Sequence, residues 1–442
     1  MKAHKFIPFC VPSKRMKGND NNDEIRWFRM SENVNDNTVY FQPNISLDVS
    51  DNSQNVSFES DISVYIHIPF CEKKCFFCSI ETYQNYTGEL LDSYVDALVM
   101  ELENRKNLLK QKNVRCIHFG GGTPSVINTQ HLKKILNVLN ECIPDLKEKE
   151  IVFESSPASI TIEHIKTITE YGKLSLNLGI QTFDEKILQG VNRATNIEQL
   201  KELFNEAQKY NLHTLGIDLI CNLPLSDPTT TIRDINLALE MGINYFSLYP
   251  LRMEAKTVLY NNYETVFSKM APLEKQVEVF ETAKELFLSK GFERFSIYHF
   301  NGTGRINHLY SRLQINGGEW IGFGAGANSY YQEQIFSNVS NVKKYIEKQK
   351  AGISSIEANR KLNMTDKIAR EIVYSLRCGK ISKNYYMERY GKHIYNSFSN
   401  IFEILKEKEY IEENEKEILL TTQGNFHLSV IEKMVFDRMK IN

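Results

Sequence analysis

The sequence contains no apolar segment long enough to cross a membrane. A membrane-spanning helix needs about 18 consecutive apolar residues, and no uninterrupted run of that kind occurs in the 442 residues. Met1 to Phe9 also lack the apolar stretch of a secretory signal. Neither secretion nor membrane spanning is therefore predicted, and we expect a cytoplasmic protein.

The chain also lacks an excess of charge of either sign. Its 53 Lys and Arg residues nearly balance 55 Asp and Glu residues, which leaves a net charge of −2. Such a chain as a whole attracts neither nucleic acid nor anionic lipid. A nucleic acid partner is therefore not predicted, and 42% hydrophobic with 24% charged residues is typical of a globular protein.

The cysteines do not form the pattern of a disulfide framework. Of the eight in the chain, three crowd into residues 71–78 and the other five are scattered. In a long chain without a secretion signal, this distribution does not indicate disulfide bonds. The crowded cysteines are the feature that needs a chemical explanation.

The two ends of the chain differ from its middle. Residues 1–60 are rich in Asn, Asp and Ser and are predicted to be an N-terminal extension, although Trp27 and Phe28 could dock on a core. Residues 355–442 are charged, with helical patterns at Met364 to Leu376 and Ile401 to Tyr410. They predict a small, mainly helical C-terminal domain.

The region 61–345 alternates short apolar strands with longer amphipathic stretches. This alternation predicts an α/β fold with a parallel sheet, a partial (β/α)6 barrel of the TIM type. A strand at Arg294 to Phe300 and a loop-rich cover at Gly317 to Tyr331 are expected to follow it. In such barrels the chemistry lies at the C-terminal ends of the strands. The predicted strands are Val64 to Phe70, Arg115 to Gly120, Ile151 to Glu154, Leu174 to Phe183, Thr214 to Cys221 and Tyr245 to Leu248.

Cys71, Cys75 and Cys78 directly follow the first predicted strand. Three thiolates so close together can hold three corners of a 4Fe-4S cluster, for which thiolates are the usual ligands. The fourth iron then stays open for another molecule. A structural zinc site, with His67 or a distant His as the fourth ligand, is the alternative that the triplet leaves open.

A glycine run, Gly120-Gly121-Gly122-Thr123-Pro124, ends the second predicted strand. Glycines allow backbone groups to approach a ligand closely and to meet a charged amino acid moiety. The same run could also be only a tight turn. Its expected position at the same barrel face as the cysteines favours a ligand cradle.

These motifs together resemble one family. The run Tyr65-Ile-His-Ile-Pro-Phe-Cys71 with the cysteine triplet is similar to the oxygen-independent coproporphyrinogen III oxidase and haem chaperone branch of the radical S-adenosylmethionine (SAM) superfamily. The resemblance covers about residues 62–332 and extends weakly to the C-terminal domain at 355–442. Four further motifs recur in order: Gly179-Ile-Gln181-Thr-Phe, Asn192-Arg193, Ile217-Asp218-Leu-Ile and Gly322-Phe-Gly-Ala-Gly-Ala-Asn-Ser.

The resemblance implies that Cys71, Cys75 and Cys78 ligate a 4Fe-4S cluster and that SAM binds beside it. The residue types are consistent with SAM binding. Arg193 can pair with a carboxylate, and Glu154 or Asp218 can accept hydrogen bonds from ribose hydroxyls or an amino group. The positions that match SAM contacts of the family are Tyr65, Gly121, Gly122, Thr123, Glu154, Gln181, Arg193 and Asp218.

The chain departs from the family at two places. Members that decarboxylate coproporphyrinogen carry a further cysteine two places after the third ligand, where this sequence has Ile80. That particular reaction is therefore not expected. The long N-terminal extension is also unlike the compact haem chaperones.

The leading hypothesis is a radical SAM enzyme that acts on a tetrapyrrole-like or other unsaturated small molecule, with a flavodoxin- or ferredoxin-type electron donor. A C-methyltransferase belongs to the same class. The alternative is a chaperone that carries haem to acceptor proteins, with haem as a further cofactor and His299 and His308 as candidate contacts. A zinc-stabilised barrel is the third possibility.

Overall fold

The structure of the protein, a computed structural model, describes residues 61–254, 257–262, 265–266, 268–391 and 394–438. The predicted extension 1–60 lies outside these residues. No helix in the described part of the chain is long and apolar enough to cross a membrane.

The predicted α/β fold is confirmed. Six strands lie side by side in chain order, and every neighbouring pair is parallel. They are β1 (Asp61–Ile68), β2 (Asn113–Gly121), β3 (Glu150–Ser155), β4 (Lys173–Gln181), β5 (Thr214–Cys221) and β6 (Tyr245–Pro250). The sheet does not close on itself, because β1 and β6 each pair outward with other strands, so the barrel is partial.

Helices follow the strands and cover the outer face of the sheet. Those between β1 and the end of the sixth βα unit are α1 (Gly88–Asn104), α2 (Lys106–Lys110), α3 (Thr129–Cys142), α4 (Ile162–Tyr171), α5 (Glu185–Gly190), α6 (Ile197–Ala207), α7 (Thr230–Glu240), α8 (Val258–Asn261) and α9 (Leu273–Ser289). Asn or Thr side chains cap several of them: Thr87, Asn128, Thr161 and Asn196 accept from backbone amides of the first turn.

The alternation of side chains along the strands separates two environments. In β1, Ile62, Val64, Ile66 and Ile68 are fully buried, while Tyr65 and His67 are only partly buried. Because successive side chains in a strand point to opposite faces, the apolar set meets the helices and the polar set faces the barrel interior. The interior is therefore polar at the ends of the strands.

The sheet continues beyond the barrel on both sides. β7 (Glu293–Arg294) and β8 (His299–Asn301) extend the β6 edge antiparallel, and α10 (Leu309–Ile315) follows them. On the other side lie β9 (Glu319–Phe323), β10 (Asn328–Tyr331), β11 (Gln334–Asn338), α11 (Val342–Lys350) and β12 (Ile356–Lys361).

Two details of the expected cover are wrong. The segment Gly317 to Tyr331 is not mainly loop, because β9 pairs parallel with β1 and gives the edge of the barrel a hydrogen-bonding partner. The single strand expected at Arg294 to Phe300 is interrupted, since the Ile297 amide donates to the Arg377 carbonyl instead of to the sheet.

The C-terminal region contains helices around a second sheet. The helices are α12 (Met364–Arg377), α13 (Lys383–Tyr390), α14 (Tyr395–Glu407), α15 (Thr422–Phe426) and α16 (Leu428–Arg438), and the strands are β13 (Lys380–Ser382), β14 (Ile411–Glu413) and β15 (Glu417–Leu420). The domain limits 1–60, 61–345 and 355–442 stay a prediction. Strand β12, which begins at Ile356, pairs with the large sheet.

The N-terminal end of the barrel is filled by the segment before α10. Glu150, the first residue of β3, accepts hydrogen bonds from the backbone amides of His308 and Leu309, each at 2.7 Å. The His308 ring stacks on Tyr245 with 3.4 Å between centroids, and the Tyr310 ring lies 4.5 Å from His118. The barrel interior is thus closed at the N-terminal ends of the strands and can be reached from their C-terminal ends.

Glu101 on α1 joins β9 and the following segments to the barrel. Its carboxylate is buried, and it holds the glycine-rich turn after β9 through the Gly324 amide at 2.8 Å. Four more donors bond to it: Asn338 Nδ2 at 3.0 Å, the Tyr345 hydroxyl at 2.8 Å, the Ser355 hydroxyl at 2.6 Å and Arg105 Nη2 at 3.1 Å.

Substituting Glu101→Ala leaves these buried donors and the Arg105 charge without their acceptor. Losing one partner of a buried ion pair costs about 3–5 kcal/mol, so we expect a clear drop in the denaturant midpoint of the whole chain. Glu103→Ala is the control, because Glu103 on the same helix pairs with the exposed Lys106 at the surface. Equal midpoints for the two variants would contradict the role assigned to Glu101.

Candidate functional site

The cysteine loop lies at the C-terminal end of β1, as the barrel rule requires. The Cys71 amide donates to the Tyr83 carbonyl at 3.1 Å, and the Phe76 amide donates to the Val191 carbonyl at 3.1 Å. The Phe77 side chain packs on Val191 and Leu223. These contacts hold the loop between β1 and the segments that follow β4 and β5.

The three thiols are partly buried and have polar neighbours. The Cys71 Sγ lies 3.3 Å from the Thr123 hydroxyl, and Arg193 Nη1 donates to the Cys75 Sγ at 3.1 Å. Burial raises the pKa of Cys71 and of Cys78. The Arg193 guanidinium thus places a positive charge and a hydrogen-bond donor directly beside the Cys75 sulfur.

No three His, Cys, Asp or Glu side chains within the described ranges converge closely enough to hold a single metal ion. His67, the nearby candidate for a fourth zinc ligand, has its Nδ1 3.0 Å from the Tyr65 hydroxyl.

The glycine run at the end of β2 packs directly on the end of β1. The Gly122 amide donates to the Ile68 carbonyl at 2.8 Å, and the Thr123 amide donates to the Phe70 carbonyl at 2.8 Å. A Cβ atom on Gly122 would lie 2.5 Å from the Phe70 carbonyl oxygen. Glycine is therefore required by strand packing, and these two amides are not free to bind the charged group of a ligand.

Gly121 is required for a second reason. Its φ of 105° lies in the region that residues with a Cβ rarely adopt. A Cβ there would also lie 2.5 Å from His67 Cε1. The absence of a side chain at Gly121 makes room for His67, which faces the barrel interior.

Arg193 joins the cysteine loop to β4. Besides Cys75, it donates through Nη2 to the Gly179 carbonyl. Gln181 stands beside this carbonyl with a φ of 72°, and a Cβ on Gly179 would lie 2.8 Å from Gln181 Nε2. Arg193 was expected to pair with a ligand carboxylate through both terminal nitrogens, but in this structure these nitrogens donate to Cys75 and to the Gly179 carbonyl. Each terminal nitrogen has one further N–H.

Glu154 and His118 form a pair in the interior. His118 Nε2 lies 2.8 Å from Glu154 Oε1, and the Glu154 side chain is 41% exposed, so the pair is open to the space above the sheet. Tyr65 lies next to this pair, with its ring centroid 5.7 Å from that of His118. The second ring nitrogen of His118, Nδ1, is buried and has no partner within the described part of the chain.

Asp218 and Asn177 form a second pair. Asn177 Nδ2 donates to Asp218 Oδ1 at 2.7 Å. Burial raises the pKa of Asp218 to about 6, against the effect of its hydrogen bond from Asn177; the Glu154 charge raises this pKa further and the Arg193 charge lowers it. All three charges therefore act on one space at the C-terminal ends of β3, β4 and β5.

The structure thus brings the predicted positions to one barrel face. Sequence reasoning missed the interior residues His118, Asn177 and Tyr249, and it considered His67 only as a zinc ligand. Each stands at an inward position of its strand, so the alternation of polar with apolar residues could have found them once the sheet was assigned.

The two histidines proposed as haem contacts are both engaged. His299 Nε2 lies 3.1 Å from the Tyr249 hydroxyl and its Nδ1 lies 2.6 Å from the Ser296 hydroxyl. His308 is buried and stacked on Tyr245. A role as axial ligand would require either ring to leave these contacts.

Comparison with known proteins agrees with this site. A family model for the radical SAM superfamily matches residues 65–235, a range that begins at Tyr65 and includes the three cysteines, the glycine run and Asp218. The chain carries a radical SAM domain. Its fold is that of the Escherichia coli coproporphyrinogen III oxidase HemN, described as a radical SAM enzyme, with a TM-score of 0.74, 22% identity, and coverage of 86% of this chain and 91% of that one.

Two relatives show which branch of the superfamily is similar. The haem chaperone HemW of Bacillus subtilis is 28% identical over 364 residues, which are 82% of this chain and 96% of HemW. The oxygen-independent coproporphyrinogen III oxidase of Salmonella typhimurium is 24% identical over 389 residues, or 83% of either chain. The relatives that match most of this chain therefore include both a haem chaperone and a coproporphyrinogen III oxidase, the branch that the motifs resemble.

Replacing Asp218 by Asn tests the buried carboxyl. An Asp whose pKa rises on folding stabilises the fold fully below its unfolded pKa, and this stability is lost as the pH rises through about 6. The loss is at most about 3 kcal/mol. We therefore expect Asp218→Asn to raise the thermal midpoint relative to the wild type at pH 8 but not at pH 4.

Thermal melts of both proteins at the two pH values give the comparison. Asp234, another buried carboxyl whose pKa burial raises to about 6, is unchanged in both proteins and does not affect the difference. A midpoint difference that is the same at pH 4 and pH 8 would contradict the shifted pKa of Asp218.

Proposed function

We propose that the protein binds a 4Fe-4S cluster through Cys71, Cys75 and Cys78 and cleaves SAM reductively. The observation that carries the proposal is the set of three partly buried thiols on one loop within a radical SAM domain, with Arg193 donating to Cys75 and the Thr123 hydroxyl beside Cys71. The donor set fits the cluster, because thiolates are its usual ligands and three of them leave one iron open.

When bound, the reduced cluster supplies the electron that splits SAM into methionine and a 5′-deoxyadenosyl radical. The role of the chain's own residues is to bind SAM and to orient it. Arg193 donates a hydrogen bond to the Cys75 Sγ and so orients it, and Glu154 and Asp218 offer carboxylate acceptors to the amino or ribose groups of SAM. The proposed SAM contacts are completed by Tyr65, Gly121, Gln181 and, through groups other than their amides, which donate to β1, by Gly122 and Thr123.

Each of the two carboxylates proposed to bind SAM is held by a neighbouring side chain. His118 fixes the orientation of Glu154, and Asn177 fixes that of Asp218. Groups held in place before the ligand arrives lose less freedom on binding, and a correctly oriented SAM reacts faster. The segment before α10, which fills the N-terminal end of the barrel, excludes water from that end.

A tetrapyrrole or another unsaturated small molecule is the proposed substrate. The support is the similarity to coproporphyrinogen III oxidase and to HemW, whose names refer to tetrapyrroles. Ile80 stands where decarboxylating members have a cysteine, and its side chain is 46% exposed. We therefore expect hydrogen abstraction or radical addition, including C-methylation, with an outcome other than that decarboxylation. The flavodoxin- or ferredoxin-type donor and the cytoplasmic location also stay predictions.

Substituting Cys75→Ala tests the cluster. We expect the variant, reconstituted with iron and sulfide without oxygen, to lose its cluster absorption and to form no 5′-deoxyadenosine from SAM, because the cluster loses a thiolate ligand. Iron, sulfide and 5′-deoxyadenosine are measured in the same sample. Cleavage at the wild-type rate would contradict the proposal, and zinc in place of iron would favour the structural zinc site.

Cys378→Ala is the matched control. Cys378 is a free, exposed cysteine in the C-terminal region, outside the cysteine loop. Its replacement is expected to leave the iron content and SAM cleavage unchanged.

Haem transfer is the second candidate function. The observation that favours it is the match to 96% of the length of HemW. A chaperone would bind haem in a stable complex and pass it to an acceptor protein without consuming SAM in each transfer. Stoichiometric haem binding with no effect on 5′-deoxyadenosine formation would favour the chaperone, whereas consumption of the tetrapyrrole would favour the enzyme.

A further inference from the structure

The backbone is strained at the end of β4. Gln181, the last residue of this strand, has a φ of 72°, a left-handed conformation that residues with a Cβ rarely adopt. The register of β4 against β5 also shifts between Gly179 and Gln181. Strain and β-bulges of this kind occur at functional sites, where they redirect a side chain, and they persist only when neighbouring groups hold them. The conformation of Gln181 therefore needs groups that fix it.

This conformation brings the Gln181 amide group to the site proposed for SAM. A Cβ on Gly179 would lie 2.8 Å from Gln181 Nε2 and 3.7 Å from Arg193 Nη2. Gly179 is also the residue that pairs with Asp218 of β5. The Gln181 amide thus lies over the strand partner of Asp218 and on the same side as Arg193.

Asp234 holds the chain directly after Gln181. The Phe183 amide donates to Asp234 Oδ1 at 3.0 Å, and the Thr182 hydroxyl also hydrogen-bonds to the Asp234 carboxylate. Arg193 holds the chain on the other side, through the carbonyl two residues before Gln181. The strained residue is therefore fixed between two anchors, one on each side in the chain.

The position of Asp234 is unusual for a carboxylate. Asp234 lies on α7, on the buried face that it shares with Ile235 and Ala238, and it is only 7% exposed. Burial raises its pKa to about 6, although the hydrogen bonds from Thr182 and Phe183 oppose this rise. A carboxylate on the core face of a helix is costly unless it is hydrogen-bonded. Its bonds to the turn after β4 account for its presence there.

We propose that Asp234 is a positioning residue, which holds the turn after Gln181 and thereby keeps the Gln181 amide oriented toward SAM. It acts through Gln181 and is not itself a SAM contact. This inference rests on the proposed function, because Gln181 is one of the proposed SAM contacts. It extends the control of SAM affinity to the helix that follows β5, outside the barrel interior.

The test measures SAM binding to the full chain, reconstituted with iron and sulfide without oxygen. Equilibrium dialysis is done with the cluster oxidised, so that SAM binds without being cleaved. Asp234→Ala is expected to weaken binding roughly three- to tenfold, the effect of one hydrogen bond to the ligand. With the cluster reduced, the KM for SAM in 5′-deoxyadenosine formation should rise by a similar factor with little change in kcat.

Glu240→Gln is the matched control. Glu240 is an exposed acidic residue at the end of the same helix, so its replacement also removes one negative charge from α7. The variant is expected to bind SAM as tightly as the wild type.

A double-mutant cycle with Gln181→Ala separates positioning from a general effect on the fold. If Asp234 acts through Gln181, Asp234→Ala causes no further loss of SAM affinity once the Gln181 amide is absent. Thr182→Val, measured in the same two backgrounds, removes only one hydrogen bond to Asp234 and leaves α7 unchanged. It should give a smaller loss that also disappears with Gln181→Ala, and it decides the question should Asp234→Ala not fold.

The positioning role is overturned if Asp234→Ala binds SAM as tightly as Glu240→Gln, or if its loss of affinity is the same in both backgrounds. For Thr182→Val, an unchanged affinity or an equal loss in both backgrounds has the same meaning. If the wild type cleaves SAM in these cases, the proposed function is unaffected. A wild type that binds no SAM would overturn the proposed function and, with it, the SAM contact of Gln181.

Discussion

The close approach of the ends of β1 and β2 is the constraint on which the site depends. The amides of Gly122 and Thr123 donate to carbonyls at the end of β1, and there is no space for a side chain at Gly122. This contact brings the Thr123 hydroxyl to Cys71 and gives His67 its place in the interior. A wider separation of the two strands would move the cysteine loop away from the other strands that form the site.

The polar interior follows from the open sheet. A closed barrel of this size fills its centre with side chains, whereas this sheet leaves a space lined by Glu154, Asp218 and their neighbours. The carboxylates are kept in place by His118 and Asn177, and the raised pKa of Asp218 reflects the cost of burying that carboxylate. Charged groups in such an environment interact strongly with a bound ion or zwitterion, because little water screens them.

The cluster, SAM and the substrate make different demands on the chain. The cysteine loop needs thiols and a nearby positive charge, and Arg193 provides that charge at Cys75. The proposed SAM contacts come from the ends of five strands, so they depend on the whole sheet. Both proposed functions, enzyme and haem chaperone, would use this same cysteine loop.

The sequence by itself determined the order of six βα units, the cysteine loop after the first strand and the glycine run after the second. These features are local, because the periodicity of apolar residues and the spacing of motif residues are defined within a few positions of the chain. Only the tertiary structure decided that β9 pairs with β1, that the glycine amides are used by β1, and that Arg193 donates to Cys75 across 118 positions of the chain. The reason is that such partners are far apart in sequence, and the geometry of the folded sheet, not any local pattern, determines which of them meet.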